Sequence, residues 1–182
     1  MQDNSMPICA DCEYDFESIQ ALTYLSMYRK SDPKKRYMLT NICFAVLFAV
    51  ILVEMILFGM DAMLILLAIA IVAFISLNLF MYLQYPKIRY RSMANLKNIS
   101  NEYIFTEKSL LVTTHNSDYD GKAEIAYSLF VKAYETSRYL FLFQTNNQVY
   151  IVNKSTLIGG TIEEIRNMLC SYLNQKYMIC KY

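Results

Sequence analysis

Few side chains in this 182-residue chain have the type and spacing to do chemistry. Cys9-Ala10-Asp11-Cys12 has the C-x-x-C spacing of half a zinc site. A closed site needs four ligands, and only His115, Cys170 and Cys180 remain to supply the other two, none repeating the spacing. The expectation is free thiols in an N-terminal tail, with no metal and no cofactor. Five cysteines are an odd count and do not make a disulfide framework; Cys43, in an apolar run, reads as a small hydrophobe. His115 is the single histidine, placed at a strand end among polar residues, so a nucleophilic triad would have one base and no nucleophile elbow. The four glycines are Gly59, Gly121, Gly159 and Gly160, which form no phosphate-cradling loop. The carboxylate pairs Asp118/Asp120 and Glu163/Glu164 fit a turn and a helix first turn, where the helix dipole favours acids. No enzyme is expected.

Three other groups of residues invite a functional reading. Glu54 is one of two Asp, Glu, Lys or Arg residues between 42 and 83, and an acid inside an apolar span is costly enough to suggest a role. It lies about 9 Å from the helix end at 1.5 Å per residue. There it can be tolerated near the interface, contact a partner or second copy, or serve transport. Asn41 and Asn78 stand at nearly equal distances from Met60, so antiparallel helices would bring them to one depth, either as an amide pair or each in headgroup water. Lys34, Lys35 and Arg36 precede the first apolar run, and Lys87, Arg89, Arg91 and Lys97 follow the second. Those cations orient a hairpin and can also touch anionic headgroups. Nucleic acid is disfavoured as a partner, because the rest of the chain is mixed in charge without an Arg-rich face.

The elements that must position these residues centre on two apolar runs. Ile42 to Phe58 and Ala62 to Leu83 flank Gly59-Met60-Asp61. Each approaches the roughly 20 residues that cross a bilayer core about 30 Å thick, and three residues leave room only for a hairpin. The asymmetry of Lys and Arg about the hairpin predicts a multi-pass inner-membrane protein with both termini cytoplasmic. The first run follows a polar segment and leads straight into a second span, so it is not a cleavable signal. The predicted organisation is a cytoplasmic N-terminal segment (1–37), a transmembrane hairpin (38–85, with spans about 40–58 and 62–83), a basic connector (86–100) and a cytoplasmic domain (101–182). Residues 1–11 are expected to be disordered, 13–17 extended, and 18–30 an amphipathic helix with Ile19, Leu22 and Leu25 on one face.

From residue 101 the pattern becomes strand-like. Strands are predicted at 102–105, 109–115, 122–126, 129–135, 139–144 and 149–152, with turns at Asp118–Gly121 and at Asn146-Asn147, whose residues tolerate positive φ. Thr161-Ile162-Glu163-Glu164 is a capping box opening a helix to about Lys176, with Ile162, Ile165, Leu169, Tyr172 and Leu173 on its apolar face. The fold class is therefore α+β: a two-helix hairpin plus a small antiparallel barrel or sheet capped by a C-terminal helix.

The segment "YDFESIQALTYLSMYRKSDPKKR", the hairpin, and the stretch "ISNEYIFTEKSLLVTTHNSDYDGKAEIAYSLFVKAYETSRYLFLFQTNNQVYIVNKSTL" together resemble the YcxB-like family of bacterial membrane proteins. Tyr127-Ser128 matches the family's aromatic-Ser pair, and Tyr134 to Leu142 its "Y-E-T-x-x-Y-L-F-L" motif. Tyr127 stands where the family more often has Trp, and Asn153 where it more often has Pro. The resemblance implies a pleckstrin-homology-like (PH-like) domain on a membrane hairpin and no defined activity. The expected role is a non-catalytic, membrane-anchored interaction or regulatory module that binds a protein partner or lipid. The alternative is a small subunit of an oligomeric transporter or channel using Glu54.

Overall fold

A computed structural model describes residues 7–28, 32–93, 99–116 and 120–180. The first element is a strand. In Ile8–Glu13 (β1) the even positions Ile8, Ala10 and Cys12 are buried and the odd ones face outward, the period-2 pattern of a half-buried strand. Residues 8–11 are thus ordered rather than disordered, and the strand lies upstream of the predicted 13–17. All six residues of β1 pair with Ser100–Phe105 (β2), from Ile8 opposite Phe105 to Glu13 opposite Ser100. The N-terminal segment and the strand-rich C-terminal region therefore share one sheet.

Phe16–Tyr28 (α1) buries Ser18, Ile19, Leu22, Thr23 and Leu25. Its N-terminus is set by Asp15, whose carboxylate accepts from the Ser18 amide at 2.8 Å. Pro33–Phe58 (α2) and Ala62–Leu83 (α3) are both long and apolar enough to cross a membrane. Asp32 caps α2, accepting from the amides of Lys34 and Lys35, and Pro33 occupies a first-turn position where no amide is needed. Gly59, at φ +95°, ends α2, and Asp61 caps α3 through the Met63 amide. Ile51 and Ile71 are the buried residues between the apolar arms, with Phe44 and Phe74 in ring contact at 4.3 Å. The remaining apolar side chains of the pair are largely exposed, including Ile56 (81 %) and Phe58 (84 %). In water such a surface would associate; in hydrocarbon it is at equilibrium. Tyr85–Ser92 (α4) follows directly on α3.

Two four-stranded sheets carry the rest. Ser109–His115 (β3) and Asp120–Ala126 (β4) complete the order β1-β2-β3-β4; Lys132–Glu135 (β5), Tyr139–Phe143 (β6), Val149–Asn153 (β7) and Tyr177–Ile179 (β8) give β7-β6-β5-β8. All ladders are antiparallel except β5 with β8. An isolated bridge ties Cys9 of β1 to Ile158, past the end of β7, and the two sheets do not close into a barrel among the described residues. Ile162–Leu173 (α5) buries Ile165, Leu169 and Leu173 and begins with the predicted capping box, Thr161 and Glu164 bonding reciprocally. It ends at Leu173 rather than Lys176, because Asn174 takes φ +49° and the chain turns into β8. Tyr172, placed on the apolar face by its spacing, is 42 % exposed and reaches sideways to the Tyr127 ring at 5.6 Å.

Two predicted turns differ. Asp120 and Gly121 belong to β4, opposite His115 and Thr114, and 117–119 lie outside the described residues. Asn146 and Asn147 do not take positive φ; the β6–β7 hairpin is instead closed by the Thr145 hydroxyl, which accepts from the amides of Asn147 and Gln148.

Candidate functional site

The end of the hairpin where α2 begins and α3 finishes meets the sheets through α1. Tyr82 of α3 is the middle ring of a stack, 4.3 Å from Tyr37 of α2 and 5.2 Å from Tyr24 of α1, with interplanar angles of 12° and 11°. The Tyr24 hydroxyl donates to the Tyr82 carbonyl at 3.0 Å, and burial pushes its pKa up to about 12. Arg89 of α4 reaches the Thr23 and Ser26 hydroxyls of α1 at 3.5 and 3.3 Å, so this cation fastens two elements together. On its other flank α1 touches the β5–β6 hairpin, where Arg138 donates to Glu17.

A cavity of about 400 Å³ opens at this junction, lined by Glu17, Gln20, Ala21 and Tyr24 of α1, Pro33 of α2, and Thr136 to Tyr139 of the hairpin. Its volume is within the range of small-ligand sites. The hairpin is held rigidly. The Thr136 hydroxyl accepts from the Tyr139 amide and donates to the Tyr139 carbonyl, both at 3.0 Å. The preceding residue, Glu135, is 3 % exposed. Arg166 of α5 grips it bidentately at 2.8 and 2.9 Å, Lys154 donates at 3.0 Å and the Tyr177 hydroxyl at 2.6 Å. Burial alone would raise the Glu135 carboxyl, but the hydrogen bonds from Arg166, Tyr177 and Lys154 overcome it and hold the pKa down to about 2. Neither Glu135 nor its partners stands out in the sequence, since the four lie up to 42 positions apart. The one local signal is a carboxylate between Tyr134 and the apolar run Tyr139–Phe143.

The basic residues divide. Lys34, Lys35, Arg36, Lys87 and Arg91 are exposed, while Arg89 is half-buried and committed to α1. Lys87 and Arg91 line a second, more open cleft of about 250 Å³ together with Phe16 and Tyr90, whose rings meet edge-on at 5.7 Å. Lys34, Lys35 and Arg36 sit in the first turn of α2, where the helix dipole disfavours cations; helix stability does not account for them. Lys97 lies outside the described residues.

The hairpin's polar residues are not brought together. Asn41 bonds the Tyr37 carbonyl at 2.8 Å and Asn78 the Phe74 carbonyl at 3.4 Å. Each amide nitrogen returns to its own helix one turn back, while the Asn41 Oδ1 is buried without a hydrogen-bond partner among the described residues. Glu54 is exposed and has no partner among the described residues. Cys9 and Cys12 occupy β1, where positions three apart face opposite sides of the sheet. Burial pushes the Cys12 thiol up to about 12, so it is a poor ligand at neutral pH. His115 lies opposite Asp120, with Nδ1 2.8 Å from its carboxylate and Nε2 3.5 Å from Glu102. Those contacts, led by the hydrogen bond to Asp120, raise its pKa against the partial desolvation of a half-exposed ring.

The model of the YcxB-like protein family matches residues 103–169. This stretch forms a YcxB-like domain. The match begins inside β2 and ends within α5, so it takes in the Glu135 knot's acid, Lys154 and Arg166 but leaves out β1 and β8. No curated protein and no solved structure matches the chain. The cavity at the junction is thus assembled half from the YcxB-like domain and half from helices outside the matched stretch.

Proposed function

We propose that this chain is a membrane-anchored, non-catalytic module that holds its YcxB-like domain against the bilayer surface and binds lipid there. In this reading the hairpin α2–α3 spans the membrane, both termini are cytoplasmic and the rest is a PH-like domain, a reading supported by two four-stranded sheets with α5 packed on them. The observation that carries this reading is the gathering of exposed Lys34, Lys35, Arg36, Lys87 and Arg91 at the hairpin end where α1 docks the sheets. Near an anionic leaflet each such cation contributes about 1 kcal/mol, and two of them, Lys87 and Arg91, share a cleft with Phe16 and Tyr90. A bacterial inner membrane supplies that surface.

Native mass spectrometry of the full chain, purified in mild detergent from its own membranes, tests this. Retained anionic phospholipid that falls away in a Lys87→Gln/Arg91→Gln variant is the expected result. A stoichiometric protein partner with no retained lipid would replace lipid by protein as the ligand. A second reading, an oligomeric transporter subunit, is favoured by Glu54, which is exposed on an apolar helix without a partner among the described residues. A homo-oligomer that dissociates in Glu54→Gln would move the weight there.

A further inference from the structure

The cavity between α1 and the β5–β6 hairpin has a charge pattern unlike the rest of the membrane-proximal surface. Lys87 and Arg91 line their cleft with no acid beside them in its lining, whereas this cavity's lining holds one cation, Arg138, and one anion, Glu17, in contact with each other. Both side chains are 55 % exposed, so the pair is a hydrated dipole presented to the cavity rather than a sealed bridge. An exposed pair of this kind adds little to stability, about 0–1 kcal/mol, which leaves both groups able to take additional partners. The neutral lining gives no net attraction to an anion, because Glu17 offsets what Arg138 offers.

The ligand that complements a fixed cation–anion dipole is a mobile dipole lying head-to-tail beside it. We propose that this cavity binds a zwitterionic phosphoethanolamine lipid headgroup, its phosphate on Arg138 and its ammonium on Glu17. The assignment rests on the lipid-binding reading above and sharpens it to one headgroup class. Position selects a lipid over a soluble phosphoester, since Pro33 of the lining is the first residue of α2, whose exposed apolar side chains begin at Met38. An acyl chain leaving the cavity would run along that helix. Arg138 offers planar paired donors suited to phosphate. Glu17 can accept hydrogen bonds from a primary ammonium but none from a quaternary one, which has no N–H to give. Discrimination between ethanolamine and choline headgroups is therefore the distinctive consequence.

The test uses the full chain in mild detergent, titrated with phosphatidylethanolamine, phosphatidylcholine and phosphatidylglycerol of identical acyl chains and followed by native mass spectrometry. The expected result is tighter binding of the ethanolamine lipid than the choline lipid by roughly tenfold, the scale of one charge-assisted hydrogen bond. Glu17→Gln should bring that ratio near one, and Arg138→Gln should weaken both lipids together. Glycerol-lipid binding should respond instead to Lys87→Gln/Arg91→Gln. Equal affinity for ethanolamine and choline lipids, or a preference that survives Glu17→Gln, overturns the headgroup assignment while lipid binding stands. Absence of saturable binding for all three lipids overturns the lipid-binding reading itself.

Discussion

At the scale of single residues, the two acids with the most to say behave oppositely. Glu54 draws attention in the sequence because its surroundings are apolar, yet it has no partner among the described residues. Glu135 draws none, yet it joins β5, the turn after β7, α5 and β8 through Lys154, Arg166 and Tyr177. The difference is physical: a sequence window displays local hydropathy, whereas a buried ion cluster is a product of contacts between distant positions. The Glu135 carboxyl titrates near 2 in the folded chain against an ordinary value of 4.5. A carboxyl depressed on folding contributes stability above its unfolded pKa and loses it as pH falls through the folded one. We expect up to about 3 kcal/mol to be lost between pH 4.5 and 2. Glu135→Gln should remove that acid sensitivity and destabilise the protein at pH 7 by about 3 kcal/mol, since Arg166 and Lys154 are left without their counter-charge. Unfolding curves of the two proteins at neutral and acid pH decide it. A variant as stable as its parent at pH 7 would make the cluster ornamental. His115 offers a second check: Asp120→Asn should lower its pKa toward the ordinary value of 6.5, read by the ring-proton NMR shift.

Among the elements, α1 carries the connection between the hairpin and the sheets. It is fastened to α3 by stacked Tyr24 and Tyr82, to α4 by Arg89, and to the β5–β6 hairpin by Glu17 and Arg138. Periodicity located this helix and its buried face, because Ile19, Leu22 and Leu25 recur at helical spacing; it could not show that the opposite side holds Tyr24 against a membrane-type helix. Strand β3 was legible to the residue, since Ser109–His115 is bounded by clear turn chemistry on one side. Strand β1 was not, because Ala10, Asp11 and Cys12 have weak strand preference and the pairing that stabilises them comes from residues 100–105. The three-residue β8 is shorter than any pattern window and depends on parallel pairing to β5. If α1 is the connector, Tyr82→Ala should loosen it selectively. The one aromatic contact that Tyr82 makes with α1, to Tyr24, is lost at about 0.5–1.5 kcal/mol, so amide exchange in residues 16–28 should accelerate several-fold while β2, β3 and β6 keep their protection. Unchanged exchange in α1 would show that Arg89 and the apolar face suffice to hold it.

For the whole molecule, the chain crosses from β1 through two apolar helices and returns to lay β2 beside its first strand. The return is tight: the Tyr14 amide donates to the Ile99 carbonyl at 3.0 Å, immediately beyond the last β1–β2 pair. Ile8, Ala10, Cys12 and Tyr14 are all buried in the same core as Tyr103, Leu140 and Ile165. Gly160 approaches β1 so closely that a Cβ there would meet the Ile8 side chain at 2.5 Å. The YcxB-like stretch therefore supplies most of a core whose covering strand lies on the far side of the hairpin. Residues 99–182 alone should fail to fold, because removing β1 uncovers one edge of the sheet and strips several large side chains of contacts, each representing about 1.5–3 kcal/mol of burial. A small domain holds only about 5–15 kcal/mol in total. Joining residues 7–28 to 99–182 by a flexible Gly/Ser linker in place of the hairpin should restore a cooperative unfolding transition and a dispersed amide spectrum in water. Cooperative folding of 99–182 by itself, at the stability of the joined chain, would show that β1 decorates the sheet instead of completing it. The same pair of proteins separates the roles of the two halves: with the hairpin gone, a folded joined chain should lose the cations of α2 and α4 and with them its attraction to anionic vesicles.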